Sequence, residues 1–95
     1  LNTRLDAGTS AYCLDHGEAK IVVVDREFIP LLRAALTQCH AKPLVVEVDD
    51  TEAPDAIRAA RLDGALDYEA LLAEGDAAFA WTMPRDEWDA ISLNY

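Results

Sequence analysis

The chain has 95 residues, enough for one small domain that buries roughly 60–68% of its extended surface. A hydrophobic fraction of 52% argues against disorder, and a formal charge of −10, from 18 acidic against 8 basic side chains, opposes binding to nucleic acid or to an anionic membrane surface. Two cysteines, Cys13 and Cys39, without a Cys-x-x-Cys pattern, fit reduced core thiols and a cytoplasmic setting, and no apolar run approaches the ~20 residues of a membrane span.

After a short lead-in, Asp6 is a good N-cap, and Ala7, Ala11 and Leu14 follow at helical spacing. Gly17 sits where a left-handed residue would end that helix. Lys20–Asp25 then contains four consecutive β-branched residues, apolar on both faces, which predicts a parallel strand covered on both sides. A second helix is expected from about Glu27 to Gln38, with Pro30 in its first turn and a buried stripe of Phe28, Leu32, Ala35, Leu36 and Cys39. Lys42-Pro43 breaks it, and Leu44–Val48 is the second strand, completing a right-handed βαβ unit.

Beyond Asp49 the periodicity weakens. Asp49, Asp50, Glu52 and Asp55 form an acidic loop, and Pro54 opens a short helix using Ala56, Ile57, Ala60 and Leu62. Asp67 caps a clearer helix, Tyr68–Glu74, stopped by Gly75. A final apolar run, Ala90–Tyr95, is expected to be the third strand. These elements predict an α/β fold of three layers: a short, mainly parallel sheet of about three strands in the order 2-1-3, with helices on both faces. Alanine supplies much of the apolar content, so Tyr12, Phe28, Tyr68, Phe79, Trp81, Trp88 and Tyr95 are the expected large anchors. An apolar strand left at an edge invites pairing between chains, so self-association is expected.

No active site assembles from the residues present. The acidic loop lacks the spaced ligands and the glycine of a calcium loop and is expected to be solvated. Asp25, at the end of the first strand, is expected to cap the following helix. Val24-Asp25-Arg26-Glu27 also resembles the magnesium-holding strand end of phosphoacceptor receiver domains, but the partner aspartate and lysine of that site have no counterpart. His16 and His40 each lie near a helix C-terminus, where positive charge is favourable. The four glycines, Gly8, Gly17, Gly64 and Gly75, are isolated and form no phosphate loop. No metal site is expected.

Three stretches together resemble the adenylate-forming, AMP-binding ligases, in particular the fatty-acid and medium-chain acyl-CoA synthetases. They are Leu1-Asn2-Thr3-Arg4-Leu5-Asp6, His16–Asp25, and Leu66–Gly75 continuing to Asp86–Tyr95. The resemblance covers the whole chain and implies that residues 1–95 are a partial N-terminal subdomain of such an enzyme, ending on the tyrosine that precedes its phosphate loop. The implied parent uses ATP, magnesium and coenzyme A to make an acyl-adenylate and then a thioester. On its own the chain is expected to be an inert scaffold whose partner is the rest of the ligase. The resemblance also suggests that Arg4 contacts the phosphate end of coenzyme A in the intact enzyme. A free-standing receiver-like or other α/β interaction module is the alternative.

Overall fold

The computed structural model describes every residue from Leu1 to Tyr95. The elements run α1 (Ala7–His16), β1 (Ile21–Asp25), α2 (Ile29–Leu36), β2 (Leu44–Val48), α3 (Asp55–Arg58), β3 (Leu66–Asp67) and α4 (Tyr68–Ala73). A 3₁₀ turn, Arg26–Phe28, leads from β1 into α2. The α/β class expected from the sequence is what folds: an open, all-parallel sheet of three strands with four helices.

Local chemistry sets most boundaries. Asp6 caps α1 by accepting a hydrogen bond from the Thr9 amide at 2.7 Å. Asp25 caps the 3₁₀ turn through the Glu27 amide at 2.9 Å, the structural role expected of it. Asp67 caps α4 through the Ala70 amide at 2.9 Å. Pro30 lies in the first turn of α2, where its missing N–H costs nothing. Gly17 does end α1, but with φ −79° rather than in the left-handed region; the left-handed residue is Glu18, at φ 48°. Gly17 is needed for space instead, since a Cβ there would lie 2.9 Å from the Cys13 carbonyl oxygen and 3.3 Å from the Tyr95 hydroxyl.

The sheet order is β1-β2-β3, with β2 in the middle, so the expected order 2-1-3 is corrected. The third strand is Leu66–Asp67, paired with Val46 and Glu47, while Ala90–Tyr95 forms no strand. The physical reason lies in the partner: a run of alternating apolar residues becomes a strand only where an edge takes up its backbone groups, and these residues pair with none. The order also bears on coverage. Two right-handed crossovers that advance in the same direction place their connections on one face.

That face holds the core. Ala11, Leu14, Leu32, Ala35, Cys39 and Val45 form one buried cluster, with Val22, Val24, Leu36 and Leu62 packed against it. The cluster joins α1, α2 and alternate residues of β1 and β2. Cys13 and Cys39 are both buried free thiols, as expected. On the other face, α4 packs on β2 and β3 and Val46 is fully buried, but Ile21 and Val23 of β1 are 60% and 58% exposed. The expectation that β1 is covered on both sides is therefore not met. Of the expected aromatic anchors, Phe28 and Tyr68 are half-buried, while Tyr12, Phe79, Trp81, Trp88 and Tyr95 are exposed; Ile29 and Val46 are the largest fully buried side chains.

Candidate functional site

Ligands of open α/β sheets bind beyond the carboxyl ends of the strands. Here that end is occupied by charge. Arg26, the first residue after β1, is buried with only 2% of its side chain exposed. Its Nη1 lies 2.5 Å from Asp49 Oδ2, its Nε 3.6 Å from Glu47 Oε2 and its Nη2 3.8 Å from Asp67 Oδ2. Nη1 also donates to the Arg58 carbonyl at 3.3 Å.

Arg58 in turn grips Asp49 with two hydrogen bonds, at 3.0 and 3.2 Å. Arg61 approaches Glu47 Oε2 at 3.4 Å, and the Leu62 amide donates to Glu47 Oε1 at 2.5 Å. Three guanidinium groups thus neutralise three carboxylates and tie together β1, β2, β3 and α3. The Arg58 hydrogen bonds, reinforced by Arg26, hold the Asp49 carboxyl below its ordinary value of 3.8, against the opposing effect of desolvation.

This cluster changes the expectation for the acidic loop. Asp49 is not a solvated loop residue but half of a bidentate ion pair, while Asp50 stays exposed and accepts only from the Glu52 amide. Magnesium, implied by the family resemblance, does not fit these carboxylates. Each already faces an arginine, and no group of three metal-ligating side chains stands free. No glycine-rich loop caps the strand ends to cradle a phosphate.

Other candidates lie elsewhere. Arg4 is exposed in the turn before α1; its amide donates to Asn2 Oδ1 at 2.9 Å, and its guanidinium makes no ion pair. His16, in the last turn of α1, stacks on Tyr12 with ring centroids 5.3 Å apart. Its Nδ1 is 2.7 Å from the Tyr95 hydroxyl. Desolvation beside α1 pushes the Tyr95 phenol up from its ordinary value. His40 is fully exposed and pairs with Asp15 at 3.2 Å, past the end of α2. Asp15 also accepts from the Ala41 and His40 amides, which lowers its pKa and ties α1 to the connection before β2. Asp15 and His40 share a shallow cavity with Glu18, Lys20 and Lys42, but no serine, threonine or cysteine lines it to serve as a nucleophile.

The largest cavity is an apolar groove of about 560 Å³ running along the free edge of β1. Ile21–Asp25 form its floor, Leu14, Phe28 and Leu32 one wall, and Leu1–Thr3 with Leu93 and Tyr95 lie at its margin. Sequence reasoning missed both this groove and the Arg26 cluster. The second carried a signal: a glutamate inside Leu44-Val-Val-Glu-Val48 cannot be buried without a counter-ion, and Arg26, Arg58 and Arg61 are the nearby cations.

The fold and its strand ends are thus those of a parallel α/β unit with paired charges at the carboxyl end and an open apolar edge at its first strand. The chain is homologous along its whole length to one segment of the acyl-CoA ligases and acyl-activating enzymes. It is 42% identical to acetate–CoA ligase CCL3 of Humulus lupulus, with all of this chain and 18% of that protein aligned. It is 37% identical to acetate/butyrate–CoA ligase AAE7, peroxisomal, of Arabidopsis thaliana, over the same shares of each. The probable acyl-activating enzyme 10 of Arabidopsis thaliana is also 37% identical, with all of this chain and 17% of that protein aligned. The chain therefore spans less than one fifth of the length of these relatives. No family model matches it, and no solved structure does. No helix is long and apolar enough to cross a membrane.

Proposed function

We propose that residues 1–95 form a scaffold piece of the N-terminal domain of an ATP-dependent acyl-CoA synthetase, and that the piece is catalytically inert alone. The observation carrying this reading is the end-to-end match to CoA ligases more than five times its length. The Arg26 cluster supports it, because the charged groups at the sheet's carboxyl end pair with one another instead of facing a ligand, with Arg26 Nε the one buried atom left without a hydrogen bond. The parent reaction converts a carboxylate and ATP to an acyl-adenylate and pyrophosphate, after which the thiol of coenzyme A displaces AMP. ATP, magnesium and coenzyme A would be held by the rest of the ligase.

Relatives are named for acetate, butyrate and 2-methylpropanoate, so short carboxylates are the first substrates to assay. Calorimetric titration of the 95-residue chain with ATP, AMP and coenzyme A is expected to give no binding heat. A micromolar dissociation constant for any of them overturns the inertness. Arg4 is the one residue we assign to cofactor binding, as a weak contact to a coenzyme A phosphate; its exposed, unpaired guanidinium supports this. Arg4→Ala in the full-length ligase should raise the KM for coenzyme A and leave that for ATP alone, and an unchanged coenzyme A KM removes the assignment. The compartment we propose is a reducing one, the cytoplasm first, since Cys13 and Cys39 are free thiols. Three Arabidopsis relatives are named as peroxisomal, and imaging the tagged full-length protein distinguishes the two compartments.

A further inference from the structure

The open edge of β1 is unprotected along its apolar run, charge standing only at its ends in Lys20 and Asp25. Within Ile21–Val24 there is no proline, no charge and no bulge. The backbone groups there are strand-competent. The Leu44 amide donates to the Lys20 carbonyl at 2.8 Å, which fixes the alternation: Lys20, Val22 and Val24 point their amides and carbonyls at β2. Ile21 and Val23 therefore present theirs to the empty side, along the floor of the groove. The same two residues carry the most exposed side chains of the sheet.

We propose that this edge is an internal seam of the intact ligase, filled by an extended strand of the same polypeptide from outside residues 1–95. The inference rests on the reading of the chain as a ligase segment. Three further observations select this occupant. The relatives carry more than four fifths of their length beyond the matched segment, so ample chain exists to fill the groove. Both ends of the chain, Leu1–Thr3 at one side and Leu93 with Tyr95 at the other, line that groove, so polypeptide continuing from either end is within reach. A second copy is disfavoured, because pairing two chains of charge −10 sets like charge against like. The added strand makes β1 an interior strand, hydrogen-bonded along both of its edges.

Hydrogen exchange tests the seam directly. In the isolated chain the Val22 and Val24 amides are expected to be protected and those of Ile21 and Val23 to exchange fast. In the full-length ligase all of them should be slow, with Val23 slowed by at least ~100-fold. Fast exchange at Val23 in a full-length enzyme that makes thioester overturns the inference and leaves the ligase reading intact. Absence of thioester formation with any carboxylate overturns the ligase reading, while exchange at Val23 still reports on the seam. As a second variant, Val23→Pro removes an amide that the isolated chain leaves unused, so its Tm should move by no more than about 3 °C. The same substitution should cost the full-length protein about 10 °C or its folded state; equal small shifts in both proteins overturn the proposal. Light scattering should find the isolated chain monomeric, its charge of −10 overriding the self-association that the apolar edge by itself invites, and a dimer that Val23→Pro dissociates would assign the edge to a second copy instead.

Discussion

The segment from Asp6 to Val48 and the segment from Gly75 to Tyr95 are both rich in apolar residues, yet they behave oppositely. The first packs α1, β1, α2 and β2 around one buried cluster. In the second every residue is exposed, Trp81 and Trp88 at 89% each, and no helix or strand forms. The difference is not one of hydrophobic content. In the first segment the apolar residues recur at helix or strand period and meet each other; in the second they are large but have no facing surface. The radius of gyration reflects this: 15.2 Å, against about 12 Å for a compact chain of this length. The end of this segment meets the packed part at Tyr95, whose hydroxyl reaches His16, and at the groove margin that Leu93 shares.

The sharpest way to break the contrast is Arg26→Ala. This removes the buried cation that faces Glu47, Asp49 and Asp67; Arg61 and Arg58 still face Glu47 and Asp49, and breaking the buried Arg26–Glu47 pair is expected to cost about 3–5 kcal/mol. Chemical denaturation measures it, and the paired change Arg26→Met with Glu47→Met should recover part of the loss, because no buried charge is then orphaned. Next in size is Ile29→Ala, at a side chain 1% exposed, with an expected loss of about 2–5 kcal/mol.

A third measurement is the acid limb of stability. The Asp49 pKa is lowered from 3.8 in the folded chain by its hydrogen bonds from Arg58. Such a group contributes stability above its unfolded value and loses it as pH falls through the folded one. Unfolding should therefore steepen below about pH 4, and Asp49→Asn should flatten that limb. Asp6 and Asp15, also lowered by backbone amide hydrogen bonds, act in the same direction. Smallest is Trp81→Ala or Trp88→Ala, each expected within about ±0.5 kcal/mol of the parent. Tryptophan emission should accordingly stay at its water-exposed maximum from native to denaturing conditions; a blue-shifted native spectrum would show that the C-terminal segment packs after all.

Much of the first segment was legible because its determinants are local. Asp6 and Asp25 cap from sequence position alone, as Asp67 does further along the chain, and Ala11, Leu14, Leu32, Ala35 and Cys39 share faces by periodicity. The candidate site was scarcely legible. Arg26 reads as one polar residue after a strand, and only the docking of β2, β3 and α3 around it reveals three counter-charges. Arg4 was found by resemblance rather than by any local pattern, and the structure leaves it exposed and without an ion pair.

The sequence by itself determined the helices and the two long strands, since hydrogen bonding along a helix and side-chain alternation along a strand depend on near neighbours. Tertiary structure alone decided that β2 rather than β1 is central, that Leu66–Asp67 rather than Ala90–Tyr95 is the third strand, and that Ile21 and Val23 face solvent. These outcomes turn on which edge a strand meets, and that depends on residues far away in the chain.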